Sequence, residues 1–427
     1  MSKFIIGNKP ISRVSGPVRI TVLKPDNDLR NRFKEEGARL PYIVLFGDHH
    51  FDRENNCEEC ECKTNWITGK GWENKECCYE IDDPEFLKLF DGVASKNYPI
   101  DFYTEQSYEP RLNDPDIYDL NKELKGSDSE GYLAKFIHDY KICYSKGEKR
   151  TKRYKKECPT RDIRWHYIDT RSFKYGNSGE AQLNQGIIIY YHILNIFFNE
   201  PEETIQEKTY EIFTQHHHKL QMTLDIILNG MNFLQTYVTT DSDFLIPKQV
   251  RKQAIEELRS MELWNAIFRD TINLIFKNYY KSKNMQFNTA DYAKVMQFYI
   301  NVLELISDNT VSKEEFLERR KTLIESVEKY KIFEDNQSNL NNMVFYTTKT
   351  AMMDIYTVAR MLKKPKKGTP GYLAMYYAGD AHTTNIRDIL VRHFSYEIVG
   401  ESYNEKERCQ SVKDIDFNIL KAKNEYK

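Results

Sequence analysis

The sequence has no apolar run long enough to cross a membrane. A spanning helix needs about 20 consecutive apolar residues, whereas the longest candidate, residues 187–198, is interrupted by His192 and Asn195. No long apolar stretch follows the charge near the amino terminus, so a secretory signal peptide is not predicted either. We therefore expect a cytoplasmic or virion-associated protein without a membrane span.

Neither sign of charge dominates the sequence. Its 62 basic and 64 acidic side chains leave a formal net charge of -2, which argues against nucleic acid as a partner because such contacts need a basic surface. With 427 residues, 40% apolar and 30% charged, the chain can bury a core without metals or disulfides. These proportions exclude collagen, a coiled coil and wholesale disorder.

The sequence also lacks the Gly-x-Ser-x-Gly turn of serine hydrolases and a convincing catalytic cysteine. Both absences argue against a covalent acyl-enzyme. Alanine is scarce, while the 29 Tyr and 23 Phe, together with many Lys, Asn and Ile, favour codons rich in A and T. This bias indicates an AT-rich genome, such as that of a giant DNA virus, and says nothing about chemistry.

Strand-like segments open and close the chain around a helical middle. Residues 42–46 form a continuous apolar run, typical of a strand buried on both faces, and residues 372–377 are similar. Between them lie segments with helical spacing, one of which starts with a capping box, Ser312 with Glu315. The sequence predicts an α/β protein with a central, mostly parallel sheet flanked by helices and a large helical insertion subdomain.

Three parts of the chain follow from this reading. Residues 1–175 would form the first half of the core and include a Cys-rich loop at residues 57–78. Residues 176–365 would form the helical insertion, which offers surfaces for protein partners. Residues 366–427 would supply the strands and helix that complete the core.

Both apolar strands are followed by the same pattern, Gly-Asp-x-His. Glycine would allow a tight turn at the strand end, and open α/β sheets place their ligands at the carboxyl ends of strands. Two neighbouring strand ends would bring the histidines together although 332 residues separate them. Ordinary turn chemistry with incidental histidines is the alternative. The two copies are Gly47-Asp48-His49-His50 and Gly379-Asp380-Ala381-His382.

Two further strand-like segments carry polar groups at their ends. Glu105 follows an apolar strand at residues 101–104, and Asp169 and Arg171 lie where a strand at residues 163–168 would end. A solvated carboxylate is the alternative for Glu105, and a simple ion pair is the alternative for Asp169 with Arg171.

This order of motifs resembles the superfamily that joins TIKI/TraB proteins, ChaN-like haem-binding proteins and erythromycin-esterase-like hydrolases. In that superfamily two Gly-x-x-His motifs and an intervening Glu line one pocket. Asp48 departs from the pattern, because the esterase-like and ChaN-like forms commonly carry Glu there. The matching positions are Gly47, Asp48, His50, Glu105, Gly379 and His382, with His49 and Asp380 adjacent to them.

The resemblance implies a hydrolase that cleaves an ester or peptide bond in a small-molecule or peptide substrate. His50, Glu105 and His382 would hold a divalent ion such as Zn, Mn or Co, whose bound water becomes acidic. Alternatively, one His would act without metal as the general base. The resemblance does not choose between these routes, because TIKI-like members are metal-dependent and esterase-like members are not. Further catalytic candidates are Asp48, Asp380, His49, Asp169 and Arg171.

Five of the eight cysteines cluster in or beside the Cys-rich loop. Cys57, Cys60, Cys77 and Cys78 supply four thiolates for a structural zinc ion. The second pair is adjacent, which suits a tetrahedral site less well than Cys-x-x-Cys. Disulfides are an equal alternative and would indicate maturation in an oxidising place or in a virion.

Two other classes of function stay open at this point. The chain would be an inactive structural or interaction protein, such as a virion component, if it kept the fold and lost the chemistry. It would be a haem-binding or small-ligand-binding protein if the same histidines held a ligand instead of activating water.

Overall fold

A computed structural model of the chain contains two compact units. The first comprises Met1–Ser172, Ser242–Ile255 and Tyr356–Lys427, and the second comprises Phe173–Asp241 and Glu256–Ile355. The residues that the structure describes are 4–6, 9–26, 40–49, 57, 77–81, 86–87, 100–107, 160, 163–169, 179–229, 271, 289–328, 350–351, 353–362, 373–413 and 415.

The first unit contains ten described strands, one long helix and further helical residues, among them residues 356–362. The strands are β1 (Phe4–Ile6), β2 (Lys9–Ser15), β3 (Arg19–Pro25), β4 (Tyr42–Asp48), β5 (Cys77–Glu80), β6 (Ile100–Ser107), β7 (Ile163–Asp169), β8 (Leu373–Gly379), β9 (Tyr396–Tyr403) and β10 (Cys409–Ser411). Six of them form a sheet in the order β7-β6-β8-β4-β3-β9. The pairs β7·β6, β6·β8 and β8·β4 are parallel, whereas β4·β3 and β3·β9 are antiparallel. The α/β class is confirmed, and the sheet is mixed.

Strands β4 and β8 lie side by side in the middle of this sheet. They pair in parallel register from Tyr42 opposite Leu373 to Asp48 opposite Gly379. Every residue of both strands is buried, as their continuous apolar sequences require. This pairing places the two Gly-Asp sequences at one edge of the sheet.

The sequence predicts a helix over residues 384–394, and the structure has this helix begin four residues earlier, at Asp380. The long helices of the second unit are α1 (Gly179–Asn199), α2 (Ile205–Asn229), α3 (Thr289–Ser307) and α4 (Lys313–Glu328). The helix after β8 belongs to the first unit and is α5 (Asp380–Phe394). The second motif is therefore the first turn of α5, and His382 projects from a helix instead of a loop. Backbone angles of -52° and 143° at Gly379 suit any residue, so no unusual turn explains that glycine.

A second sheet of the first unit was not expected from the sequence. Strand β2 pairs with β1 and β10 in antiparallel fashion and with β5 in parallel fashion. A disulfide between Cys57 and Cys409 joins the segment after β4 to the start of β10. Cys57 also donates its backbone N–H to the Ser15 hydroxyl of β2 at 3.3 Å.

Aromatic contacts hold the helices of the second unit together. The rings of Phe198 in α1 and Phe298 in α3 are stacked 5.9 Å apart, and Arg320 of α4 donates to the Phe197 carbonyl at 2.7 Å. Ser312 caps α4 by accepting the Glu315 N–H at 3.2 Å, as the capping-box pattern predicts. Within the described ranges, no helix has the length and apolar character to span a membrane.

Candidate functional site

Three parallel strands end together at the edge of the six-stranded sheet. Asp48 is the last residue of β4, Glu105 lies near the end of β6, and Gly379 is the last residue of β8. Carboxyl ends of parallel strands are where α/β proteins bind their ligands. The chain therefore gathers two carboxylates and a helix N-terminus in one place.

Glu105 and His382 form a buried pair of a carboxylate and an imidazole. The Gly379 N–H donates to Glu105 Oε2 at 2.9 Å, and Glu105 Oε1 lies 3.5 Å from His382 Nε2. Side-chain exposure is only 4% for Glu105 and 6% for His382. Because the N-terminus of α5 carries partial positive charge, it stabilises the ionised carboxylate.

The spacing within this pair fits two kinds of chemistry. A separation of 3.5 Å is longer than a normal hydrogen bond, and two ligands that bind one tetrahedral ion at about 2.1 Å lie about 3.4 Å apart. Among the residues that the structure describes, no cluster contains three or more groups able to bind one ion. The described pair thus fits two ligands of an ion, or a base held by a carboxylate.

Asp48 interacts with groups that the sequence motif does not contain. The Tyr377 hydroxyl donates to Asp48 Oδ2, and Arg408 Nη2 lies 3.1 Å from Asp48 Oδ1. The side chains of Asp48 and Arg408 are 1% and 3% exposed. Removal of either partner would leave a buried, uncompensated ion, which is strongly destabilising.

The carboxylate of Asp380 binds Arg19 of β3. Arg19 Nε donates to Asp380 Oδ1 at 2.8 Å, and the Thr383 hydroxyl donates to the backbone oxygen of Asp380 at 3.0 Å. Gly47 lies directly beneath this turn of α5. A Cβ atom at Gly47 would lie 2.3 Å from Asp380 Oδ1 and 2.6 Å from Thr383 Oγ1. The first glycine thus makes room for the aspartate of the second motif.

A different carboxylate–imidazole pair lies near the amino end of β6 and the middle of β7. Asp101 Oδ1 is 2.7 Å from His166 Nε2 and accepts from Arg164 Nε at 2.6 Å. Tyr103 stacks on the His166 ring at 4.7 Å and donates to the Arg360 carbonyl at 3.2 Å. Burial raises the pKa of Asp101, but His166 and Arg164 outweigh this and hold it below its ordinary value.

The structure brings together some of the predicted site residues. Glu105 and His382 are in contact, and Asp48 lies opposite Gly379 in the sheet. His49 follows β4 and is exposed. Asp169 ends β7 and pairs with Ser107 through the backbone. His50 and Arg171 lie outside the described residues, so their roles remain predictions.

The cysteines that the structure describes contradict the predicted zinc site and support the alternative, disulfide bonds. Cys57 is bonded to Cys409, and Cys78 is also in a disulfide, so neither thiolate is available to the predicted zinc site. A thiol consumed in a disulfide cannot ligate the ion that was assigned to it. Cys60 lies outside the described residues, and Cys77 is the first residue of β5.

Sequence reasoning missed three partners of the site. Arg19 lies in the mostly apolar strand β3 and Arg408 in a polar segment, and no motif marks either arginine. Tyr377 was counted only as part of an apolar run. The alternation of side chains along β8 places Tyr377 on the same side as Gly379, which was the one available signal.

Comparison with protein-family models, curated proteins and solved structures finds no match. The chain thus stands as an α/β protein with a carboxylate–imidazole pair at its strand ends.

Proposed function

We propose that the chain is a hydrolase of the esterase or metallopeptidase type that activates water at Glu105 and His382. The observation that carries the proposal is their burial as a pair at the carboxyl ends of β6 and β8, beside the N-terminus of α5. Ester or amide hydrolysis needs a group that takes a proton from water and a second group that stabilises the resulting charge. An imidazole beside a carboxylate supplies both.

His382 is the proton acceptor in this proposal. Glu105 stabilises the imidazolium that forms when His382 takes the proton, as a buried carboxylate does beside a catalytic histidine. The Gly379 N–H holds the carboxylate in place through its 2.9 Å hydrogen bond. A divalent ion, when bound by the same pair, would make its water more acidic.

Asp48 has a supporting role in the proposal. Its ion pair with Arg408 and its hydrogen bond from Tyr377 suit a carboxylate that orders the end of β4 better than one that must exchange protons. His50 remains the predicted second base or ligand. The substrate class remains a small-molecule or peptide ester or amide.

The experiment is a substrate panel read with a matched pair of variants. Purified chain is assayed against ester and peptide substrates with and without a chelator, and its metal content is measured. We expect His382→Ala to lower kcat/KM by about 10²- to 10⁴-fold, with unfolding still cooperative. His192→Ala, the same change at an exposed position of α1, should leave kcat/KM unchanged.

A structural or interaction role without catalysis is the second candidate. The specific observation in its favour is Arg408, which neutralises one of the carboxylates of the predicted site. The described disulfides also suit a protein that matures in an oxidising place or in a virion. Failure of the whole panel, with a stable oligomer or a tight protein partner, would favour this role. Visible absorbance of the purified protein would instead favour haem.

A further inference from the structure

We infer that Arg19 is a positioning residue that holds His382 against Glu105. The effect of Arg19 on turnover rests on the proposed function. Arg19 lies opposite Gly47 in the β3·β4 pair. Its Nε donates to Asp380 Oδ1 at 2.8 Å and its Nη2 to Asp380 Oδ2 at 3.4 Å. The two side chains are 11% and 14% exposed. A two-point contact between a guanidinium and a carboxylate fixes direction as well as distance.

The guanidinium of Arg19 is itself held by neighbours on β9. The ring of Tyr403 lies 3.8 Å from Arg19 Cζ, which is a cation–π contact. Arg19 Nη1 donates to Glu401 Oε1 at 3.2 Å, and that oxygen also accepts from Thr21 and from Arg387 at 2.9 and 2.8 Å. Asp380 therefore contacts a guanidinium that several residues of the sheet hold in place.

The fixed residue is the first one of α5. Asp380 directly follows Gly379, whose N–H binds Glu105, and precedes His382 by two residues. Gly47 allows the turn to lie close to β4, because a Cβ there would collide with Asp380 and Thr383. Holding Asp380 thus sets both the Gly379 amide and the His382 ring relative to Glu105. Loss of the cation would leave the Asp380 carboxylate packed against the sheet without its counter-charge.

One backbone amide reports this geometry without any assay of activity. Ala378-Gly379 is the single Ala-Gly sequence in the chain, so labelling with carbonyl-¹³C alanine and ¹⁵N glycine yields one selected amide signal, that of Gly379. Glu105→Gln identifies the shift that belongs to its hydrogen bond. The test compares hydrogen exchange of this amide in the wild type, Arg19→Met, Arg19→Lys and Arg387→Met.

Arg387→Met is the matched control, because it removes a guanidinium from the same Glu401 carboxylate without touching Asp380. We expect the Gly379 amide to exchange at least about tenfold faster in Arg19→Met and within about twofold of wild type in Arg387→Met. Arg19→Lys keeps the charge but not the two-point contact, so it should give an intermediate rate. An unchanged rate in Arg19→Met would overturn the inference. So would an equal acceleration in both methionine variants or across the whole sheet.

The kinetic part is separate from the exchange measurement. If the proposed hydrolysis is observed, Arg19→Met should lower kcat by about tenfold with KM nearly unchanged, and Arg19→Lys should restore part of it. Unchanged kcat in Arg19→Met would contradict the positioning role. If no substrate is cleaved but Gly379 responds as expected, the proposed function fails while the hold of Arg19 on α5 stands.

Discussion

The two ends of strand β6 carry similar pairs in different surroundings. Asp101 lies 2.7 Å from His166 and also binds Arg164, near the amino end of β6 and the middle of β7. Glu105 lies 3.5 Å from His382 and binds a backbone N–H, near the carboxyl ends of β6 and β8. Asp101 and Glu105 are four positions apart in β6, which corresponds to about 13 Å along the strand.

The partners of each carboxylate decide what its histidine can do. Arg164 and His166 both bind Asp101, so the negative charge is already matched and the group serves as an ion-pair network. Gly379 supplies the dipole of its N–H to Glu105. Glu105 lies 3.5 Å from His382 and would stabilise an imidazolium there. The same two residue types form a structural network at one end and a candidate base at the other.

The largest effect on stability should come from Gly47, because the pair at the carboxyl ends depends on close approach of α5 to β4. Gly47→Ala places a methyl group 2.3 Å from Asp380 Oδ1 and 2.6 Å from Thr383 Oγ1. Because Asp380 is held by Arg19, we expect a loss of about 3 kcal/mol in the free energy of unfolding. Chemical denaturation measures this loss.

The same variant tests the independence of the two ends. In Gly47→Ala the Gly379 amide should exchange faster, while the His166 ring signals stay as in the wild type. A Gly47→Ala protein with unchanged stability and an unchanged Gly379 amide would show that the close approach of α5 has no part in holding the pair.

An intermediate effect is expected at the amino-end pair, and it should depend on pH. Asp101→Asn removes the charge that His166 and Arg164 share, which should cost about 2 kcal/mol at pH 7. The pKa of Asp101 is below its ordinary value of 3.8. The native state therefore binds this proton less tightly than the unfolded chain. The stabilisation is complete above the unfolded pKa and is lost as the pH falls through the folded pKa.

Urea unfolding of wild type and Asp101→Asn between pH 7 and pH 3 checks both sign and size. The difference in free energy should be constant at neutral pH and should shrink below about pH 4. A difference that grows below about pH 4 would contradict the assignment of Asp101 as the ionised partner.

The smallest effects on stability are expected at two buried tyrosine hydroxyl groups. Tyr377 donates to the Asp48 carboxylate, whereas Tyr103 donates to a neutral carbonyl, that of Arg360. Tyr377→Phe should therefore cost about 2 kcal/mol and Tyr103→Phe about 1 kcal/mol. The two variants remove the same hydroxyl from two buried positions, so each is the control for the other in denaturant titrations. Equal losses of free energy of unfolding in the two variants would show that the charge of the acceptor does not distinguish the two hydrogen bonds.

The sequence was most informative for β4 and β8, because the two strands have similar sequences. The twin apolar runs and their Gly-Asp endings predicted that β4 and β8 are buried strands, and the structure pairs them in register. Glu105 was found because a carboxylate after an apolar strand is conspicuous. The contact between Glu105 and His382 follows from those two predictions once α5 is added.

The remaining features were hidden because they depend on distant residues. Arg19 contacts Asp380 across 361 positions, and Arg408 contacts Asp48 across almost as many, so no local pattern marks either arginine. Strands β2, β5 and β10 are short and form a sheet through distant pairings. The partner of Cys57 lies 352 residues away. The reason for Gly47 was also hidden, because a close approach of α5 and not a turn requires it.

The central claim is that Glu105 with His382 carries the chemistry and Asp101 with His166 carries structure. The most direct test is kcat/KM and unfolding free energy for Glu105→Gln and Asp101→Asn, measured side by side at pH 7. We predict that Glu105→Gln lowers kcat/KM by about 10²-fold or more, while Asp101→Asn keeps it within about threefold and lowers stability. Loss of turnover in Asp101→Asn with full turnover in Glu105→Gln would contradict the claim.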